Sequence, residues 1–319
     1  MSLSINGLTV ELGHTEIIHG LDLHVMSGER FAIMGPSGSG KSTLLRAIAG
    51  LVTPSSGTVV IDGVDITATP THRRPIGLMF QDHALFPHMS VAGNVGYGLR
   101  MAGMDSSSRD QAVSALLDRV GLTGLADRKP DTLSGGEQQR VALARTIALE
   151  PSLVMLDEPL GSLDVGLRED LLFHIRSVVD QVGTTSLYVT HDRAEAFAFA
   201  DRLAIVSDGH IVAIGTPNEI WEKPRSAFVA RLIGHANVVD GAPLELGTGV
   251  VMIPEGAIEL DAVGEHEGTV IDASFDDGRF RLRVDVAGTI VVVPSDHSEP
   301  AGNVVRLRID SHAVAHLSD

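Results

Sequence analysis

The stretch Gly35-Pro36-Ser37-Gly38-Ser39-Gly40-Lys41-Ser42-Thr43 constrains this chain more than any other. Before it runs Arg30-Phe31-Ala32-Ile33-Met34, a short apolar strand; after it Leu44, Leu45, Ile48 and Ala49 recur at helical spacing until Gly50. Strand, glycine loop and helix in that order form the Walker A pattern of a phosphate-binding loop. Glycine lets successive backbone N–H groups converge on one anion, and the helix N-terminus adds positive potential there. Gly35, Gly38 and Gly40 supply that freedom, and the whole stretch, with Pro36, Ser37 and Ser39, is the candidate cradle for ATP. Lys41 would reach the β- and γ-phosphates, the Ser42 hydroxyl would ligate Mg²⁺, and Thr43 would lie near the α-phosphate.

A second apolar run, Leu153-Val154-Met155-Leu156, ends in Asp157 and Glu158. Both carboxylates then emerge at a sheet edge beside the phosphates. Asp157 suits Mg²⁺, held through water and completing the site begun by Ser42, and Glu158 suits orienting and deprotonating the attacking water. Two further strands end in polar groups: Ile76-Gly77-Leu78-Met79-Phe80 in Gln81, and Tyr188-Val189-Thr190 in His191. Taken alone, each of these is an ordinary polar strand end.

Composition narrows the class. The chain has 319 residues, enough for two domains, and 44% hydrophobic content, enough for a real core. No stretch approaches the roughly 18 apolar residues needed to span a bilayer, and the N-terminus has no basic start or apolar run. Without cysteine there are no disulfides or thiolate metal sites, which fits a cytoplasmic protein. A net charge of −17 argues against a general affinity for nucleic acid. His14, His19 and His24 are spaced five apart, as are His83 and His88, which matches no helical ligand spacing and argues against a structural metal site.

Between the two core halves lies Leu133-Ser134-Gly135-Gly136-Glu137-Gln138-Gln139-Arg140. With Walker A upstream and the Asp157-Glu158 strand downstream, the chain resembles the ATPase subunit of ABC transporters over residues 3–235. The resemblance implies an α/β fold: a RecA-like P-loop NTPase core with an antiparallel β subdomain and a helical subdomain at about 85–150. It implies a head-to-tail homodimer in which Ser134, Gly135 and Gly136, opening a helix at about Gly136–Ala148, bind the γ-phosphate held by the opposite subunit. It further implies that Gln81 touches Mg²⁺ and the attacking water, that His191 contacts the γ-phosphate, and that Asp164 belongs to the D-loop Gly161-Ser162-Leu163-Asp164. The family usually stacks adenine on an aromatic side chain just before an early glycine; here Leu12 precedes Gly13. The loop after Gln81, through Leu85 to Val91, would receive a cytoplasmic helix of the permease.

Past residue 235 the helical period disappears. Phe280, Leu282, Val284 and Val286 alternate with Arg279, Arg281, Arg283 and Asp285, and Val305, Leu307 and Ile309 alternate with Arg306, Arg308 and Asp310. Such alternation predicts a small β-barrel over residues 244–319 after a linker at 236–243, similar to the OB-like TOBE domain of importer ATPases. The arginines read as a solvated face, since the stretch offers no interleaved aromatic platform for bases. The resemblance thus implies an importer ATPase beneath two transmembrane permease subunits, with a solute-binding protein in the full system. Contact with the inner face of the membrane would run only through the permease. Iron(III), thiamine and polyamine importers are the nearest likeness; sulfate, molybdate and sugar importers stand further off. A soluble ABC ATPase of DNA repair or translation would share these motifs but usually carries a long coiled coil or two cassettes. A P-loop kinase would have no use for Leu133–Arg140.

Overall fold

Strands buried on both faces read as continuous apolar runs, and here they line up in parallel. The computed structural model describes residues 2–161, 165–276 and 278–318. Its main sheet has the spatial order His210–Gly215, Arg202–Ser207, Arg30–Met34, Thr185–Thr190, Leu153–Asp157, Ile76–Met79. All neighbours pair in parallel except the first two, which form a hairpin. Asp208 and Gly209, both at positive φ, make its turn, as the Asp-Gly pair predicts. Every residue of Thr185–Thr190 is buried, as are all but the last of Leu153–Asp157.

A second, antiparallel sheet takes Thr15–Val25, Leu3–Leu12, Ser56–Ile61 and Val64–Asp65 in that order. The helix Lys41–Ala49 lies among the side chains of both sheets. Leu44, Leu45 and Ile48 share one core with Leu3, Ile5 and Leu23 from the antiparallel sheet and Met155, Leu187 and Ala204 from the parallel one. The last carbonyls of that helix would otherwise be orphaned. Gly50 closes it in a left-handed conformation, and the buried Arg74 guanidinium donates to the carbonyls of Ala47 and Ile48 at 3.1 and 2.6 Å. The expected helical region contains Val91–Val95, Tyr97–Met101, Ser106–Arg119 and Gly135–Ile147. Val113, Leu117 and Val120 are its buried stripe.

The chain divides into two compact units, Met1–Pro217 and Asn218–Asp319. The division falls ahead of residue 235 because the short helix Ala227–Leu232 packs Ala227 and Ala230 on Val238 and Met252 of a small sheet formed by Val238–Asp240, Val250–Met252 and Ala315–His316. The rest of the second unit is a five-stranded antiparallel sheet, ordered Ile258–Leu260, Val304–Ile309, His266–Asp276, Arg279–Val286, Thr289–Ser295. Its first and last strands also approach each other, so the sheet curls into the OB-like form. Leu282, Val284, Val286 and Leu307 point into its core. The alternating arginines pair with acids outside: Arg283 with Asp272 at 2.9 Å, Arg281 with Glu255 at 2.9 Å, Arg306 with Glu267 at 3.3 Å, and Arg308 with Glu259.

Candidate functional site: a phosphate cradle at one sheet edge

Strand register brings the expected site residues to one edge. Met34 pairs with Thr190, Val189 with Asp157, and Leu156 with Met79. The segments that leave these strands, starting at Gly35, His191, Glu158 and Phe80, therefore emerge side by side. In open α/β sheets this carboxyl edge is where ligands bind.

The loop itself is shaped by what a side chain would strike. A Cβ on Gly35 would lie 2.1 Å from the Val206 carbonyl oxygen, and one on Gly40 would lie 2.8 Å from Ile18 Cδ1. Gly38 and Gly40 hold left-handed φ of 81° and 100°. Ser37 and Gly38 form the exposed crest, Pro36 and Thr43 are half-buried, and Ser39 is buried beneath. The helix begins at Lys41 with no side-chain cap from Gly40, so its first amides are left for an anion. Lys41 is 5% exposed and donates to the carbonyls of Gly35 and Pro36 at 2.8 Å each. Burial lowers its pKa, and the carboxylates of Glu158 and Asp157 partly restore it.

Asp157 ends its strand half-buried. Burial raises its pKa, Glu158 raises it further, and Arg46, Lys41 and the Ser42 hydroxyl oppose the rise. Its buried Oδ1 has no hydrogen-bond partner, which is costly unless another group completes it. An unsatisfied carboxylate oxygen between a lysine and a serine hydroxyl fits a hard cation such as Mg²⁺.

Glu158 follows at φ 44°, with Oε1 3.1 Å from Nδ1 of His191. Gln81 stands at the same turn: its Nε2 is 3.3 Å from where a Cβ on Gly161 would sit, and the Glu158 carbonyl is 3.4 Å from that point. The strand end that leads into His191 is tied by a residue that sequence reasoning missed. Glu195 is buried, accepting from Tyr188 Oη at 2.9 Å and Thr190 Oγ1 at 2.7 Å. Burial raises its pKa against those hydrogen bonds. It stands in the first turn of the helix Arg193–Phe199, for which Asp192 is the N-cap, a position that carries no sequence signal of burial.

Not all expected residues gather here. Ser134 and Gly135 are exposed. Ser134 caps the helix Gly135–Ile147, its side chain and the Glu137 carboxylate forming a capping box. Leu12 is 46% exposed at the end of the first hairpin, paired with Thr15. The strand Thr15–Val25 does run past the loop, since Ile17 and Ile18 are the atoms that would meet a Cβ on Gly40. Asp164 lies outside the described residues.

A family model described as ABC transporter matches residues 18–161. The Fe(3+) ions import ATP-binding protein of Streptomyces coelicolor is 49% identical over 259 residues, 80% of this chain and 74% of that protein. The spermidine/putrescine import ATP-binding protein of Frankia alni is 48% identical over 219 residues, 69% of this chain but 47% of that protein. Among solved structures, a dimeric ATP-binding cassette in a post-hydrolysis state bound to ADP and Pi is 30% identical, with TM-score 0.60, over 67% of this chain and 98% of that one. With its phosphate loop, paired carboxylates and histidine at one sheet edge, the chain belongs to the ABC transporter family of ATP-binding proteins and is an ATP hydrolase.

Proposed function

We propose that this chain energises uptake of iron(III) by an ABC importer, binding ATP between two head-to-tail copies beneath two permease subunits at the inner face of the cell membrane. The convergence of Lys41, Asp157, Glu158 and His191 at one edge carries the catalytic part of that reading. The Streptomyces coelicolor relative, matched over most of both chains, supports the solute, and the dimeric cassette with ADP and Pi supports the paired arrangement. Among the described residues no helix is long and apolar enough to cross a membrane, so the path for the solute is assigned to the permease. We assign nucleotide binding to the first compact unit and leave the OB-like residues 244–319 outside the reaction.

Within the site, the Gly35–Thr43 loop holds the triphosphate, with Lys41 on its outer phosphates. Ser42, Asp157 and Gln81 would hold Mg²⁺, which when bound neutralises charge on the β- and γ-phosphate oxygens. Glu158 accepts the proton of the attacking water, and His191 and Gln81 orient the γ-phosphate and that water. Ser134, Gly135 and Gly136 serve the partner copy's nucleotide, and Leu12 covers the base. The unpartnered Oδ1 of Asp157 is the observation that supports the cation.

The test is ATP-driven uptake in membrane vesicles containing the neighbouring permease genes, with iron(III), spermidine and thiamine offered in parallel. Iron(III) accumulation that Glu158→Gln abolishes is the expected result. Accumulation of spermidine alone would move the solute to the polyamine class. Steady hydrolysis with no uptake of any solute would overturn the importer assignment for this set.

A further inference from the structure

The loop that follows Gln81 is held in an unfavourable conformation by a residue from elsewhere. His83 and Ala84 are consecutive non-glycine residues with left-handed φ of 58° and 44°. Side chains with a Cβ rarely adopt this backbone, and two in succession persist only when the surroundings fix them. Two backbone hydrogen bonds close the turn, His83 N–H to the Phe80 carbonyl at 3.0 Å and Ala84 N–H to the Asp82 carbonyl at 2.7 Å, and Arg145 braces it from outside the loop. Its Nη1 donates to the Ala84 carbonyl and its Nη2 to the His83 carbonyl, each at 2.7 Å. The same guanidinium lies over the Phe86 ring, 5.4 Å from its centroid. The far end of the loop is tied separately. Asn94, fully buried, accepts from the Phe86 amide at 2.7 Å and donates to its carbonyl at 3.1 Å.

Arg145 sits in the last turn of the helix Gly135–Ile147, whose first turn Ser134 caps. One rigid helix thus presents Ser134 at one end and grips the loop of Gln81 with the other. A forked guanidinium on two carbonyls sets both position and orientation, which a single-point donor cannot do. We propose that Arg145 is a positioning residue for hydrolysis: by bridging the His83 and Ala84 carbonyls it makes the Gln81 loop and the Ser134 helix move as one piece, so that Gln81 is in place when Ser134 meets the partner copy's nucleotide. The inference rests on the role assigned above to Gln81.

A double-mutant cycle on the purified full-length chain tests it, reading ATP hydrolysis, ATP affinity and thermal unfolding for Arg145→Met, Gln81→Ala and the pair. A residue acting through another ceases to matter when that other is removed. Arg145→Met is expected to lower kcat about 10- to 100-fold, the usual cost of losing an orienting partner, with ATP affinity within about twofold of the parent. In the Gln81→Ala background, itself slow, the same substitution is expected to cost less than about twofold. Arg145→Lys keeps the charge but not the fork, and carries the same test should the methionine variant not fold. An undiminished loss in the Gln81→Ala background would overturn the inference alone and mark Arg145 as general support for the fold. A parent-like rate for Gln81→Ala would instead overturn the reading of Gln81, and the inference with it.

Discussion

Glu158 Oε1 lies 3.1 Å from Nδ1 of His191, the two residues meeting from the ends of adjacent parallel strands. Glu158 reaches that position by a left-handed turn at φ 44°, a conformation that costs a residue with a Cβ roughly 1–2 kcal/mol. Two backbone hydrogen bonds hold the turn: Glu158 N–H to the Val189 carbonyl at 2.9 Å and Gly161 N–H to the Glu158 carbonyl at 3.1 Å. The turn and the His191 contact together hold the carboxylate at the sheet edge. In its proposed role as base, a carboxylate so fixed needs no reorganisation at the moment of proton transfer.

Replacing the proposed base without changing its shape isolates its chemistry. Glu158→Gln is expected to lower kcat by about 10²- to 10⁴-fold, the range for loss of a positioned general base. Lys41 and the loop are untouched, so ATP still binds and a closed ATP-bound dimer accumulates. Single-turnover hydrolysis and size-exclusion chromatography with ATP report both effects. Parent-like hydrolysis by this variant would remove Glu158 from the mechanism.

Asp157, proposed above to hold Mg²⁺, carries a cost in stability. Its pKa is raised chiefly by burial, then by Glu158, so the folded chain binds the proton more tightly than the unfolded one. For a raised pKa, the favourable contribution is complete below the unfolded value and is lost as pH rises through the folded value; above that, a half-buried charge opposes folding. Asp157→Asn removes this penalty. The variant should match the parent in Tm below about pH 3.9, the ordinary Asp value. It should exceed the parent at neutral pH, by a margin that opens as pH rises through the folded value. Hydrolysis should fall at the same time. A Tm advantage that does not grow with pH would show that the carboxylate's charge is not what costs stability.

The proposed shared site makes a prediction that no folding defect can imitate. Ser134→Arg places a bulky cation where the helix Gly135–Ile147 opens, and is expected to reduce turnover by about 10²-fold, as loss of a single charge-stabilising donor does. Lys41→Ala disables the opposite half of each site. Mixed dimers of the two variants contain one site with both Ser134 and Lys41 intact, so mixing should recover hydrolysis that neither variant has alone. Absence of recovery, with both chains folded and dimeric, would rule out sites built across two copies.

What the sequence disclosed followed from local rules. Gly35–Thr43, the turn at Asp208-Gly209 and the alternation of Phe280 to Val286 are each written within about ten residues, and each element formed where it was read. The start of the helix after Ser134 was legible for the same reason, one residue earlier than expected, because Ser134 and Glu137 cap it reciprocally. Long-range partners left no such trace. Arg74, Arg145 and Glu195 carry ordinary charged side chains in unremarkable surroundings; only the fold makes the first two brace backbone carbonyls and buries the third against Tyr188 and Thr190. The unit boundary was hidden likewise, since Ala227–Leu232 has helical spacing and only its packing on Val238 and Met252 assigns it to the second unit.

Leu12, proposed above to cover the base, offers a test of nucleotide preference. It is 46% exposed at the end of the strand Leu3–Leu12, where it pairs with Thr15, so an aromatic ring there displaces nothing in the core. The adjoining strand passes against Gly40 of the phosphate loop, which sets the hairpin end beside the cradle. An aliphatic side chain can cover a base, but it lacks the stacking contribution of about 0.5–1.5 kcal/mol that aromatic pairs gain beyond buried area. Leu12→Tyr is therefore expected to tighten ATP binding by about 2- to 12-fold, leaving kcat within about twofold because no reacting atom is touched. Titration of parent and variant with ATP, GTP and tripolyphosphate reads the effect. Tightening for both nucleotides but not for tripolyphosphate would place residue 12 over the base. Equal affinity of parent and variant for ATP would mean that the base lies elsewhere, and that Leu12 is only the exposed end of a hairpin.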